Sequence, residues 1–246
     1  MSFEIDKNSI LNLLKSPLNI EVVDEVTSTN DYIKGRDLFS VIAKQQSNGR
    51  GTNNRSFYSQ KGGIYLSVKL PIELEGDDFL LLTPFVAVIT ARAIDKVVGV
   101  NTQIKWVNDI YLNGKKLGGI LCENVLKGRV SEVVIGIGVN VEKQAFPSFN
   151  LNAPISLEEV VENIDKNRLI AELLNGFIGF EGEFKSRGFL SEYNDRFYLK
   201  NKVVSLSQNG QTFVGEAVGI NERASLILKV GSDVKSFVHG DVIINL

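Results

Sequence analysis

The chain has 246 residues, 43% of them hydrophobic, so it can bury a substantial core in one large domain or in one domain with a small appendage. Its formal net charge of −2 gives no general attraction to nucleic acid, so a nucleotide would have to be bound by local arginines and lysines. One cysteine, Cys122, and one histidine, His239, exclude disulfides and metal sites made only of Cys and His.

The amino-terminal residues contain no apolar signal core. The longest uncharged apolar run, residues 79–91, contains Pro84 and is too short to span a bilayer. These features predict a protein of the cytoplasm without a membrane partner.

A short helix is predicted from Ser9 to Lys15, followed by a strand over residues 20–26. The segment before this strand is too short for a helix-turn-helix, so no DNA partner is expected. The strand runs into Thr27-Ser28-Thr29-Asn30. Three hydroxyls and an amide at a strand-to-helix turn indicate either helix capping, with Ser28 or Thr29 as N-cap, or a ligand site.

A loop rich in Gly, Arg and Asn follows, over residues 47–63, between predicted strands at 39–46 and 64–70. Its glycines allow close approach to a ligand, and Arg50 and Arg55 supply forked cationic donors for phosphate or carboxylate. The loop therefore predicts an anion site, with a mobile surface hairpin as the alternative. It lacks the Gly-Lys-Ser/Thr ending of a P-loop and the third glycine of the dinucleotide pattern, which disfavours a kinase or dehydrogenase.

After a predicted helix over residues 77–98, two strands at 103–112 and 115–124 flank Asn113-Gly114, a strong two-residue hairpin signal. A regular register through this turn makes Asp109 face Gly118. One face then carries Lys105, Asp109 and Lys116, which need either solvent or an anionic ligand.

The remaining elements are predicted from periodicity. They are a strand at 130–141 whose edge is available to a partner, a helical segment at 167–187 preceded by a capping box at Ser156, a short helix at 190–197, and five short strands between 203 and 244 that suggest a small barrel.

Taken together, an ordered set of motifs resembles that of biotin protein ligases. The resemblance implies an α+β fold, with a class II synthetase-like mixed sheet and packed helices over residues 1–200 and an SH3-like barrel over residues 201–246. The motifs are Ser28-Thr29-Asn30, Gly49-Arg50-Gly51 with Arg55, Lys105-Trp106-Val107-Asn108-Asp109, Lys116-Leu117-Gly118-Gly119-Ile120-Leu121, Gly136-Ile137-Gly138-Val139-Asn140 and Gly240-Asp241-Val242.

The resemblance implies a two-step reaction with biotin and ATP as substrates and Mg²⁺ as the companion of ATP. Biotin is activated as biotinyl-5′-AMP and then transferred to a lysine of a biotin carboxyl-carrier domain, of acetyl-CoA carboxylase or another biotin-dependent carboxylase. The enzyme would act as a monomer or homodimer.

The resemblance also implies roles for particular residues. Lys116 and Arg50 would be catalytic, and Asp109 would help to hold Mg²⁺. ATP would be bound by Arg55, Phe57, Lys105, Asn108 and Asn140. Biotin would be bound by Ser28, Thr29, Asn30, Gln46, Arg50, Gly51, Thr52, Lys116, Gly118 and Gly119.

Two alternatives remain from the sequence. A lipoate or octanoate ligase or transferase of the same superfamily shares the fold and the adenylate chemistry. A non-catalytic biotin or nucleotide sensor would bind biotin without releasing pyrophosphate.

Overall fold

The computed structural model describes residues 4–52, 55–70, 72, 74, 78–127, 130–147 and 154–245. Its first part is a seven-stranded mixed sheet in the order β1-β2-β3-β7-β6-β5-β4. The strands are Ile20–Val26 (β1), Ser40–Gln46 (β2), Gly63–Leu70 (β3), Gln103–Lys105 (β4), Asp109–Leu112 (β5), Lys115–Lys127 (β6) and Val130–Asn140 (β7).

Only the β1–β2 pair of this sheet is parallel. Strand β7 is hydrogen-bonded to β3 on one side and to β6 on the other. The prediction that this strand offers a free edge is therefore wrong for residues 133–139, because strands pair with them on both sides. The strands at the two ends of the sheet are β1 and β4.

Six α-helices accompany the sheet in the described part of the chain: Lys7–Leu11 (α1), Thr29–Ile33 (α2), Asp78–Val98 (α3), Lys166–Asn175 (α4), Phe180–Ser186 (α5) and Phe189–Asp195 (α6). Helix α3 is predominantly buried and contains Pro84. The predicted helix at 167–187 is wrong in its middle, because the chain breaks between α4 and α5, where Gly179 adopts a left-handed conformation with φ of +69°. The predicted capping-box segment begins a 3₁₀ turn at residues 157–159 instead of an α-helix.

The hairpin turn forms as predicted. Asn113 and Gly114 have φ of +50° and +76°, as a type I′ turn requires, and Leu112 pairs with Lys115. The register then shifts between Ile110 and Tyr111, so Asp109 pairs with Gly119. The predicted pairing of Asp109 with Gly118 is wrong because a bulge adds one residue to β6. The predicted strand 103–112 is also divided, by a turn at residues 106–108.

A second sheet of five antiparallel strands follows, in the order β11-β10-β9-β8-β12, consistent with the SH3-like fold expected. The strands are Val203–Gln208 (β8), Gln211–Ile220 (β9), Leu226–Val230 (β10), Asp233–Phe237 (β11) and Asp241–Ile244 (β12). Apolar residues of both sheets belong to one continuous hydrophobic core. Trp106 Nε1 donates to the Ala224 carbonyl at 3.0 Å, so the two sheets are docked by polar as well as apolar contacts.

In the described ranges, no helix combines the length and the apolar character that crossing a membrane requires.

Candidate active site

The turn between β1 and α2 places three polar side chains below the surface. Ser28, Thr29 and Asn30 are all buried. Ser28 occupies the N-cap position of α2, but its side chain makes no capping hydrogen bond. Instead the Thr29 amide donates to Gln46 Oε1 at 2.8 Å, so the helix start is satisfied from β2. The capping alternative therefore does not explain these residues.

The described residues of the loop after β2 are joined by backbone hydrogen bonds. Gly51 N donates to the Arg55 carbonyl at 2.7 Å, and Phe57 N donates to the Gly49 carbonyl at 2.8 Å. A Cβ on Gly49 would lie 2.3 Å from Ser59 Oγ, so only glycine fits where the loop crosses itself. These hydrogen bonds connect the two sides of the described part of the loop.

Both loop arginines form ion pairs that reach distant parts of the chain. Arg50 Nη2 lies 2.6 Å from Asp31 Oδ1 of α2 and 3.2 Å from Glu123 Oε2 of β6. Arg55 Nη2 lies 2.5 Å from Asp241 Oδ1, at the start of β12. The loop therefore spans from α2 to the second sheet.

The hairpin side contributes the predicted trio of charges. Lys116 Nζ lies 2.6 Å from Asp109 Oδ1, and Lys105 pairs in register with Asp109. Burial lowers the pKa of Lys105, opposed by the charge of Asp109 and reinforced by Lys116 and Arg55. We call Arg55, Lys105, Asp109, Lys116 and Asp241 the charged rim.

All these elements surround one cavity of about 770 Å³. Fourteen of the sixteen residues predicted for the site line it, including Arg50, Lys105 and Lys116. The fourteen are Ser28, Thr29, Asn30, Gln46, Arg50, Gly51, Thr52, Arg55, Phe57, Lys105, Asn108, Asp109, Lys116 and Gly119.

Two predicted residues do not line the cavity. Gly118 faces the neighbouring strand, where a Cβ would lie 2.4 Å from the Gly138 carbonyl oxygen. Asn140 is buried and donates from Nδ2 to the Ile155 carbonyl at 3.2 Å. Asn108 lines the cavity, yet its Nδ2 donates to the Ile120 carbonyl at 3.0 Å, so it also fixes the turn between β4 and β5.

Phe57 lies on the cavity wall against bare backbone. A Cβ on Gly138 would come within 2.5 Å of the Phe57 ring, and Phe57 also meets Tyr65 edge-on at 6.4 Å between ring centroids. The Gly136-to-Asn140 motif therefore provides room for an aromatic ring beside the cavity.

Sequence reasoning missed the acidic partners of the arginines. Glu123 and Asp31 hold Arg50, and Asp241 holds Arg55. It also missed the loop between β11 and β12, where His239 and Gly240 line the cavity. The Gly240-Asp241-Val242 motif was the available signal, but nothing in the sequence indicates that it approaches the first sheet.

The carboxylates of the cavity decide whether the residues present fit a Mg²⁺ ion. Among the described residues, no group of three or more His, Cys, Asp or Glu side chains is arranged to hold a metal. Mg²⁺ bound with a nucleotide usually takes one or two carboxylates together with phosphate oxygens and water. Asp109 on the charged rim fits that limited part, so its metal role stays a prediction.

The sequence profile of the biotin/lipoate A/B protein ligase family matches residues 22–140. The biotin--[acetyl-CoA-carboxylase] ligase of Mycobacterium tuberculosis is 30% identical over 243 residues, which cover 91% of this chain and 88% of that protein. The chain belongs to the biotin protein ligase family.

A second relative and a solved structure are also similar to this chain. The bifunctional ligase/repressor BirA of Bacillus subtilis is 33% identical over 211 residues, and this match spans 82% of the chain but only 65% of the length of that relative. The biotin protein ligase of Aquifex aeolicus, solved in complex with biotin and ATP, superposes with a TM-score of 0.77 at 24% identity, covering 92% of this chain and 98% of that one. This likeness confirms the fold of the biotin ligase family.

Proposed function

We propose that this chain is an ATP-dependent biotin protein ligase, which activates biotin as biotinyl-5′-AMP and transfers the biotinyl group to a lysine of a biotin carrier domain. One observation carries the proposal. The whole chain has a net charge of −2, yet among the described residues four cationic side chains and two carboxylates line the cavity. The cavity is therefore suited to two anions, a carboxylic acid and a triphosphate.

In the first step, a carboxylate oxygen of biotin attacks the α-phosphorus of ATP. A new P–O bond forms, the bond from the α-phosphorus to the bridging oxygen breaks, and pyrophosphate leaves. Negative charge concentrates between the two reactants, where Lys116 and Lys105 of the charged rim supply compensating positive charge. Mg²⁺, held by Asp109 and the phosphates, would add further charge neutralisation.

Arg50 lies beside α2, at the part of the cavity that we assign to the acid. Its side chain is about one-third exposed and pairs with Asp31 and Glu123. Exposed ion pairs are weak, so the guanidinium can exchange a carboxylate of the protein for a ligand oxygen at little cost. The loop backbone at Gly51 and Thr52 then excludes water, which would hydrolyse the adenylate.

In the second step, the amine of the acceptor lysine attacks the carbonyl carbon of the adenylate. An amide bond forms, the carbon–oxygen bond to the phosphate breaks, AMP leaves and the amine loses a proton to solvent. The similarity to the mycobacterial biotin--[acetyl-CoA-carboxylase] ligase supports a carrier domain of acetyl-CoA carboxylase as the acceptor.

We assign the acid to the part of the cavity lined by α2 and β2, which do not carry the charges of the rim. Thr29, Asn30 and Gln46 line this part, the acid end, with hydroxyl and amide groups, and Thr29 and Asn30 are buried. Their oxygens can accept further hydrogen bonds beyond those within the protein. An acid with a polar ring that carries N–H groups, such as biotin, can donate to them, whereas the apolar chain of octanoate cannot, and this difference favours biotin.

The test measures exchange of labelled pyrophosphate into ATP with biotin, lipoate or octanoate, with a reaction lacking acid as control. We expect exchange with biotin alone, and a mass increase of one biotinyl group on a carrier domain added with ATP and Mg²⁺. Exchange only with lipoate or octanoate would assign the alternative substrate. Biotin binding without exchange would make the chain a sensor and overturn the proposal.

A further inference from the structure

A group of hydrogen-bonded polar side chains, most of them buried, lies at the acid end of the cavity. Ser67 of β3 is fully buried and does not itself line the cavity. Its hydroxyl donates to Asn30 Oδ1 at 2.6 Å and lies 2.8 Å from Thr29 Oγ1. We call Thr29, Asn30, Gln46 and Ser67 the hydrogen-bonded floor.

The orientation of Asn30 in this floor is fixed from both sides. Its Nδ2 donates to Glu123 Oε2 at 2.7 Å, and a carboxylate can only accept. The carbonyl oxygen of the amide must therefore point the other way, toward Ser67, which donates to it. Removal of the Ser67 hydroxyl would leave that oxygen without its partner, and only the contact with Glu123 would then hold the amide.

The backbone makes room for this contact. Ser67 pairs in register with Gly136 of β7, and a Cβ on Gly136 would lie 2.4 Å from Asn30 Oδ1. A side chain at position 136 would occupy the space of the amide. The glycine and the serine on neighbouring strands thus act together to seat Asn30.

Hydrogen bonds also connect the floor to Ser59 and Phe57, in the second half of the glycine-rich loop. Thr29 Oγ1 donates to Gln46 Oε1 at 3.1 Å, Gln46 Nε2 donates to Ser59 Oγ at 2.9 Å, and Ser59 Oγ donates to the Phe57 carbonyl at 2.9 Å. The side chains that face the acid are therefore connected to the residue on the cavity wall by a continuous hydrogen-bonded row.

We propose that Ser67 is a positioning residue for recognition of the acid, since its hydroxyl sets the orientation of Asn30 without itself lining the cavity. This inference rests on the proposed function, because it takes the acid end of the cavity as the place of the biotin ring. It assigns selectivity to a residue that cannot touch the ligand.

The test compares Ser67→Ala with Ser40→Ala. Ser40 is a matched control on the neighbouring strand β2, because it is equally buried but its hydroxyl has no hydrogen-bond partner among the described residues. Biotin binding is measured by titration calorimetry, which needs no turnover, and the KM values for biotin and ATP are measured by pyrophosphate exchange.

For Ser67→Ala we expect the Kd and KM for biotin to rise about tenfold, with the KM for ATP unchanged, because an acceptor in the floor loses its partner. Ser40→Ala should leave all three values unchanged. Equal effects of the two substitutions, or equal changes in the KM for biotin and for ATP, would show a general packing defect and overturn the inference.

A second variant covers the case in which Ser67→Ala does not fold. Ser67→Cys keeps a side chain of similar shape with a weaker donor, and should raise the Kd for biotin by a smaller factor. A Ser67→Cys variant that folds and binds biotin like the wild type would overturn the inference. Absence of biotin binding by the wild type would instead refute the proposed function.

Discussion

The hydrogen-bonded floor and the charged rim belong to the same cavity but differ in charge and in burial. The floor consists of neutral side chains, of which Thr29, Asn30 and Ser67 are buried and Gln46 is half-buried, with contacts of 2.6 to 3.1 Å between them. The rim consists of partly exposed ions, of which Arg55 and Asp241 retain 63% and 49% of their side-chain exposure. A buried polar row is costly to disturb and fixes geometry, whereas exposed ion pairs exchange partners readily.

This difference indicates how the two ligands are distinguished. A preorganised floor selects the acid by the pattern of its hydrogen bonds. The rim attracts and orients phosphates through charge, with less demand on shape. Variants of the rim should therefore change nucleotide use and rate, and variants of the floor should change acid affinity.

The largest expected effect is at Lys116. Lys116→Gln removes a positive charge from the place where the reacting oxygens meet, and should lower the rate of pyrophosphate exchange by about 10²–10³. Lys115→Gln is the matched control, because the neighbouring lysine is exposed and does not line the cavity. Similar rates for the two variants would remove Lys116 from the rim's chemistry.

The pH dependence of the rate tests Lys105. Burial lowers the pKa of Lys105 below the usual 10.5, so its charge is lost as pH rises through this lowered value. The exchange rate should then fall by up to about tenfold per pH unit on the alkaline side. Lys105→Arg keeps its charge and should extend activity to higher pH, whereas identical alkaline limbs in both proteins would contradict the role of Lys105.

A smaller effect is expected at the contact between loop and second sheet. Asp241→Asn weakens the hold on Arg55 and should raise the KM for ATP by about two- to fivefold, the range of an exposed ion pair, without changing the KM for biotin. Asp233→Asn, on an exposed carboxylate of the same sheet that does not line the cavity, should change neither. In an Arg55→Gln background, Asp241→Asn should add nothing further, and a full additional effect would separate the two residues.

The smallest effect concerns stability. Ser40→Ala removes a buried hydroxyl that has no partner in the described structure, so the free energy of unfolding should stay the same or rise by up to about 1 kcal/mol. Urea denaturation measures this value. A marked loss of stability would show that the Ser40 hydroxyl has a partner, and would disqualify it as the control for Ser67.

Local signals in the sequence predicted the parts of the site that lie within one element or turn. The Asn113-Gly114 turn brought Lys116 beside Asp109, as their ion pair confirms. The bulge that moved Asp109 from Gly118 to Gly119 has no local signal, because a register counted from a turn assumes a regular ladder.

Contacts between distant segments could not be predicted from the sequence. Arg55 and Asp241 are 186 residues apart, and Ser67 is 37 residues from Asn30. The sequence predicted Thr29, Asn30 and Gln46 of the floor, but it gave no sign of Ser67, which stands in a strand of almost entirely buried residues. Only the assembled sheet shows which amide it faces.

Seven residues of the second sheet and its loops line the cavity: Ser207, Val238, His239, Gly240, Asp241, Val242 and Ile243. A molecule that fills the cavity touches both sheets at once, so binding and docking of the sheets are thermodynamically linked. Amide hydrogen exchange in β12 should therefore slow when a nucleotide is added, although that strand is remote in sequence from the glycine-rich loop. The rate of amide exchange in β12 therefore reports whether the cavity is occupied.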